Sequence, residues 1–161
     1  MKPIRKLRWY WRRFSSQPGA KRALLLEAAI WLIVARLAIL LVPFSRIARH
    51  MGGMRQPEPP SEQFLAGQTS ARDVSWAIER AAPVLPFNVV CLPRALAAWQ
   101  MLRHRSVPAR LHFGIVRSNP NLKQAHAWLD SCGIEVSGYP EAFDCVEIGF
   151  FTTPGPRGNI R

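Results

Sequence analysis

Cys91 and His126 are the two residues whose types and settings could do chemistry together, and that chemistry is acyl transfer through a thiol. After Cys91, the apolar residues Leu92, Ala95, Leu96, Trp99, Met101 and Leu102 recur at helical spacing. Pro93 falls in the first turn, where a missing N–H costs little. This predicts a helix over about residues 92–105, ending on the basic run Arg103-His104-Arg105 that suits the negative end of its dipole. Cys91 then stands at the other end, where unpaired N–H groups favour negative charge on sulfur, the form in which a cysteine is a nucleophile. Such a nucleophile needs a proton partner. Residues 109–116 read as a buried strand, 118–121 as a loop and 124–129 as the returning strand, with His126 on the same side as Trp128 and Asp130. A cysteine at a helix start facing a histidine on a strand is a recurring arrangement for thiol-based acyl transfer.

The elements that must position this pair follow from punctuation. Residues 69–82 predict a helix with Val74, Ala77, Ile78 and Ala81 on one face, Ser70 as its cap and Asp73 as a capping-box analogue. Pro83 and Pro86 stop it and force an extended approach to Cys91. After Trp128, a turn at Ser131-Cys132-Gly133 leads into a short strand over 134–137, and Gly138-Tyr139-Pro140 breaks it. Residues 145–151 form a last strand, with Val146, Ile148 and Phe150 expected on one side, and 152–161 a loose tail.

The pieces CLPRALAAWQMLRHRSVPARLHFGI and AHAWLDSCGIEVSG resemble the core of the transglutaminase-like cysteine protease superfamily. More narrowly, they resemble the B proteins of lasso peptide biosynthesis, in the form that has no fused recognition domain. The resemblance is close from Ser75 to Gly138. It implies an α+β fold: a papain-like or transglutaminase-like unit, in which the helix bearing the cysteine packs on a small antiparallel sheet, preceded by N-terminal helices. It implies a cysteine peptidase that removes the leader from a ribosomally made, post-translationally modified peptide of the microcin type, a step in antibiotic biosynthesis. Cys91 is then the nucleophile and His126 the general base and acid. The partners implied are the lasso precursor peptide, a separate leader-recognition protein and an ATP-dependent macrolactam synthetase.

One position departs from the family pattern. An Asp or Asn there orients the histidine from the strand after the glycine turn, where this chain has Ser137 and Gly138. Glu135, Asp130 and Ser137 are the candidates for this third role, in that order. Asp130 lies four residues along the strand from His126, ~13 Å if the strand is straight. Asn88 is a candidate side-chain donor to an oxyanion, beside the backbone N–H of Cys91, with a turn-shaping role as the alternative. His112 reads as structural.

Charge and cysteine usage limit the other readings. Residues 1–55 hold 12 Lys/Arg against one acid, Glu27, whereas the rest of the chain is nearly balanced. The aromatic residues Trp9, Tyr10, Trp11 and Phe14 interleave with arginines, but no nucleic-acid motif accompanies them, so nucleic acid is not an expected partner. Cys91, Cys132 and Cys145 give an odd count, with no Cys-x-x-Cys and no zinc spacing to His126. No metal or other cofactor is expected. There is no phosphate-binding glycine loop and no secretion signal pattern, and a reducing cytoplasmic setting fits.

Residues 23–44 are the most apolar stretch. A spanning helix needs roughly 20 nearly uncharged residues, and Glu27 and Arg36 interrupt this one. The expectation is a helix packed on its own domain, with peripheral membrane contact through residues 1–45 rather than a span. The organisation expected is a basic arm and apolar helix over 1–51, a Gly/Pro-rich linker over 52–67, and the peptidase domain over 68–161.

Overall fold

The computed structural model describes residues 18–51, 61–117 and 124–153. The basic arm before Pro18, the linker stretch 52–60, the loop at 118–121 and the tail after Thr153 lie outside the described residues.

Helix α1 spans Gly19–Leu41. Its run of Ala, Leu and Ile favours helix throughout, and it ends because Val42 precedes Pro43 and takes extended angles (φ −119°, ψ 128°). By length and composition α1 could cross a membrane, but Ala28, Leu32 and Ala35 are buried on the domain. Glu27 is turned to the other helices too: Arg105 donates to its two carboxylate oxygens at 2.8 and 2.6 Å. Helix α2 (Phe44–Met51) is short and basic. Helix α3 spans Ser61–Ala81, so it starts eight residues before the expected Thr69. Ser70 lies inside it rather than at its cap. Gly67, read as part of the linker, is a helical residue at a close approach: a Cβ there would lie 2.5 Å from the Cys132 sulfur. A 3-10 turn at Ala82–Val84, carrying Pro83, ends this helix.

Helix α4 spans Cys91–His104. Its C-terminus is a Schellman motif, with Ser106 N–H bonded to Arg103 O and Val107 N–H to Leu102 O, both at 3.0 Å. Ser106 takes the left-handed position (φ 54°), which glycine usually fills, and Pro108 follows. The chain then forms β1 (Arg110–Val116), β2 (Ala125–Ser131), β3 (Ile134–Ser137), a 3-10 turn (Glu141–Asp144) and β4 (Cys145–Thr152). The sheet order is β3-β2-β1-β4, all neighbours antiparallel. Cys132 and Gly133, both at positive φ, make the two-residue turn between β2 and β3.

The α+β arrangement expected from the sequence is present, with the Cys91 helix on a four-stranded antiparallel sheet behind an N-terminal helix. One core holds Leu32 of α1, Ile78 of α3, Met101 and Leu102 of α4, and Leu111 and Leu129 of the sheet. The helices cover the face that carries Leu111, Ala127 and Leu129. On the opposite face the segment from Gly138 to Cys145 folds back, and Ala142 and Cys145 bury Trp128 with Tyr139 beside them.

Strand β4 does not keep Val146, Ile148 and Phe150 on one side. The β1–β4 register shifts between Phe113 and Gly114, so Glu147 pairs with Gly114 and Gly149 with Phe113, leaving Ile148 as the extra residue. Val146 and Phe150 therefore face opposite sides. The kink sits at Gly114 because a Cβ there would meet Val146 O at 2.6 Å and the Trp128 ring at 2.8 Å.

Candidate active site

Cys91 is the first residue of α4. Val90 before it is extended and supplies no side-chain cap, so the free N–H groups of the first turn are left beside the half-buried thiol. Arg94, one turn on, donates through Nε to Val89 O at 3.0 Å and fixes the entry of the chain into the helix. At the start of β4, burial pushes the Cys145 thiol up, and the charges of Asp144 and then Cys91 add to the rise. Cys145 pairs with Val116, two rungs along β1 from Gly114, which pairs with His126. Cys145 and His126 are therefore at the same end of the sheet.

His126 is half-buried on β2, and its Nε2 lies 2.8 Å from the carbonyl oxygen of Gly138. A carbonyl can only accept, so Nε2 carries the proton and Nδ1 of the neutral ring carries the lone pair. Gly138 can bring its backbone there because it has no side chain. It holds φ +88°, and a Cβ would collide with Ala127 O and Trp128 Cβ, each at 2.7 Å. The ring is further held by stacking on Trp128, with centroids 6.1 Å apart and planes 17° from parallel. Among the described residues, no hydrogen bond joins Cys91 to His126 directly.

None of Glu135, Asp130 and Ser137 is hydrogen-bonded to His126. Asp130 accepts from His112 Nε2 at 2.8 Å instead. Ser137 pairs with Leu129 and so belongs to the core face, where its Oγ is buried without a partner. Glu135 pairs with Asp130 on the other face and is exposed. The sequence alternation would have put Glu135 and Ser137 on one face, but a register shift between Leu129 and Asp130 separates them. Asn88 is exposed in the extended approach to α4. The partner that side-chain reading could not supply is a backbone oxygen. Its only sequence signal is a glycine at the place where the family carries its orienting side chain.

His112, read as structural from the sequence, is held between two carboxylates. Its Nδ1 lies 2.6 Å from Glu147 Oε2 and its Nε2 2.8 Å from Asp130 Oδ1. Burial opposes a charge on this ring, but the hydrogen bonds and charges of Asp130 and Glu147 outweigh it and hold the pKa above the usual histidine value. A carboxylate at each nitrogen favours the form in which both carry protons, and the ring is stacked on Trp128 at 5.3 Å and 4°. Cys132, raised by burial, touches neither histidine through any hydrogen bond. No group of three or more His, Cys, Asp or Glu among the described residues is arranged to hold a metal ion.

The family model of the transglutaminase-like superfamily matches residues 30–145, a span running from the middle of α1 through Cys91 and His126 to the first residue of β4. No curated protein and no solved structure matches the chain.

Proposed function

The chain belongs to the transglutaminase-like superfamily, and from that premise we propose that it is a cysteine peptidase that removes the leader from a lasso peptide precursor. The observation that carries a catalytic reading is a thiol at a helix start together with a histidine whose Nε2 is tied to a carbonyl, both within the span matched by the family. That tie leaves Nδ1 without a partner among the described residues, and in this reading it is the atom that takes the thiol proton. The lasso assignment is supported by the AHAW strand, the CLPRALAAW helix and the glycine turn.

In this reading Cys91 gives its proton to His126 Nδ1, and its sulfur attacks the scissile carbonyl. A C–S bond forms and the carbonyl electrons move to oxygen, where the Cys91 N–H and the Asn88 amide are the candidate donors. The oxyanion collapses, the C–N bond breaks, and the Nδ1 proton goes to the leaving amine. Water then loses a proton to Nδ1 and attacks the thioester, releasing the leader as a carboxylic acid and restoring the thiol. The other product is a core peptide with a free amine, the substrate that an ATP-dependent macrolactam synthetase requires. A separate recognition protein would deliver the precursor by its leader. These partners, and work in the cytoplasm, are part of the same proposal.

A second reading has a specific observation behind it. Among the described residues no carboxylate is bonded to His126, which suits a scaffold or membrane-surface adaptor that holds precursor and synthetase together without cutting. Cys91→Ala separates the two. With precursor and recognition protein present, the peptidase reading expects no leader removal by this variant, and iodoacetamide should label Cys91 well before the buried Cys132 and Cys145. Cleavage by Cys91→Ala at the parent rate would overturn it.

A further inference from the structure

We propose that the outward face of α1 is a docking surface for an anionic lipid bilayer, on which the domain lies without crossing. Leu26, Ile30, Ile33, Leu37 and Leu40 follow one another at alternating steps of four and three residues, which makes a single stripe along α1, and Phe44 opens α2 just beyond its end. All six are exposed, Ile30 by 58% and Leu40 by 63%, and Val34 and Leu41 widen the stripe. Scattered apolar residues on a surface need no explanation, but a continuous stripe about four turns long does.

The opposite face decides how deep the helix can go. Ala28 and Leu32 are fully buried against the domain and Ala35 nearly so, while Glu27 is held by Arg105 of the α4 terminus. A spanning helix would be surrounded by lipid or other spans on every side, and this one has its Ala28, Leu32 and Ala35 side packed on the core of the domain. It can enter a bilayer only as deep as its exposed side chains.

Charge selects the occupant. Over α1 and α2 the basic residues are Lys21, Arg22, Arg36, Arg46 and Arg49, and the only acid is Glu27, already paired. Arg22 stands one turn before Leu26 on the same row, and Arg36 one turn before Leu40, so cations flank the stripe itself. Arg46 and Arg49 are exposed just beyond Phe44. The sequence before α1 adds six Lys/Arg and no acid, together with Trp9, Tyr10 and Trp11, residue types that favour the headgroup layer. A second copy of the chain would bring the same positive charge to the contact and be repelled. An anionic bilayer offers hydrocarbon to the stripe and phosphate to its rim.

The test uses the full chain and vesicles of phosphatidylcholine, alone or with about a third phosphatidylglycerol. The chain should sediment with the anionic vesicles and remain in solution with the neutral ones. About 0.5 M salt should weaken the association roughly tenfold. Leu37→Glu with Leu40→Glu should weaken it at least about tenfold while the thermal melt matches the parent, since both positions face solvent. Arg22→Glu with Arg36→Glu, which removes no apolar side chain, should weaken it by a similar factor. Equal sedimentation with both vesicles, unchanged binding by both variants, or retention in cell membranes through high-salt and carbonate washes would each overturn the proposal. So would a dimer in sedimentation equilibrium that Leu37→Glu with Leu40→Glu dissolves, because a second copy would then be the occupant.

Discussion

His126 and His112 lie on the same face of the sheet, each stacked against Trp128, and their surroundings are opposite. His126 spends one nitrogen on the Gly138 carbonyl and has the other without a partner among the described residues. His112 has a carboxylate on each nitrogen. A neutral acceptor fixes a tautomer and leaves the ring able to gain and lose a proton. Two ionised acceptors favour the charged ring and hold its proton to higher pH. The environment, rather than the residue type, separates a candidate proton carrier from a structural cation.

The comparison breaks most sharply if the two rings are exchanged in importance. His126→Ala should lower leader cleavage by roughly a thousandfold or more, the range of a lost general base and acid. It should also slow iodoacetamide labelling of Cys91, because the proton acceptor of the thiol is gone. Combined with Cys91→Ala it should cost little beyond either change alone, since the two act as one unit. Normal turnover by His126→Ala would move the catalytic role elsewhere.

The next effect tests whether a carbonyl can be the orienter. The oxygen of Gly138 cannot be removed by substitution, but it can be displaced. Gly138→Ala puts a Cβ where Ala127 O and Trp128 Cβ are 2.7 Å away, at φ +88°. The segment must shift, and a misplacement of about 1 Å can cost on the order of a hundredfold in rate. Trp128, packed against the same segment, should lose order with it, so near-ultraviolet dichroism should change as activity falls. Full activity with an unchanged tryptophan signal would mean that His126 is oriented by something other than this bond.

Much of this was legible in the sequence, for reasons that differ by element. The spacing of Leu92, Ala95, Leu96, Trp99 and Leu102 fixes α4 and with it the place of Cys91, because helix periodicity is local. Alternation around Ala127 and Leu129 likewise marks β2. The bulge in β4 was not legible, because it arises where Trp128 crowds Gly114 from a different strand. The helical role of Gly67 was hidden for the same reason: its close neighbour is Cys132, 65 positions later. The acceptor for His126 escaped a search among Glu135, Asp130 and Ser137 because every residue owns a carbonyl, and only the fold says which one arrives. Asp130 lies too far along the strand to bond His126 and instead bonds His112, which sits diagonally across from it on β1.

His112→Gln should sharpen the contrast from the other side. Cleavage per folded molecule should stay within a few-fold of the parent, while stability falls by about 2 kcal/mol for two charge-assisted bonds, discounted because both carboxylates are partly exposed. The sign with pH follows from the direction of the shift. The His112 pKa is raised on folding, so its contribution is complete below the ordinary histidine value near ~6.5 and is lost as pH rises through the folded value. The parent melting temperature should therefore decline across that interval, and the decline should be smaller in His112→Gln. A parent curve that rises over the same interval would show that the ring is neutral in the folded chain.

Ser137 gives the smallest effect and the cleanest discrimination between orienters. If its hydroxyl positioned His126, Ser137→Ala would resemble a weakened catalyst. Its register partner is Leu129 on the core face, whereas His126 faces the other side, and its Oγ is buried with no hydrogen-bond partner. A hydroxyl in that state keeps the desolvation cost of burial without the return of a bond, so removing it is neutral or stabilising by up to about 1 kcal/mol. The methyl group of alanine occupies the same space without the oxygen, and no cavity larger than that atom results. Ser137→Ala should thus cleave at the parent rate and melt at the same temperature or a few degrees higher. A loss of tenfold or more in kcat with an unchanged melt would put the orienting role on this hydroxyl and take it from the Gly138 carbonyl.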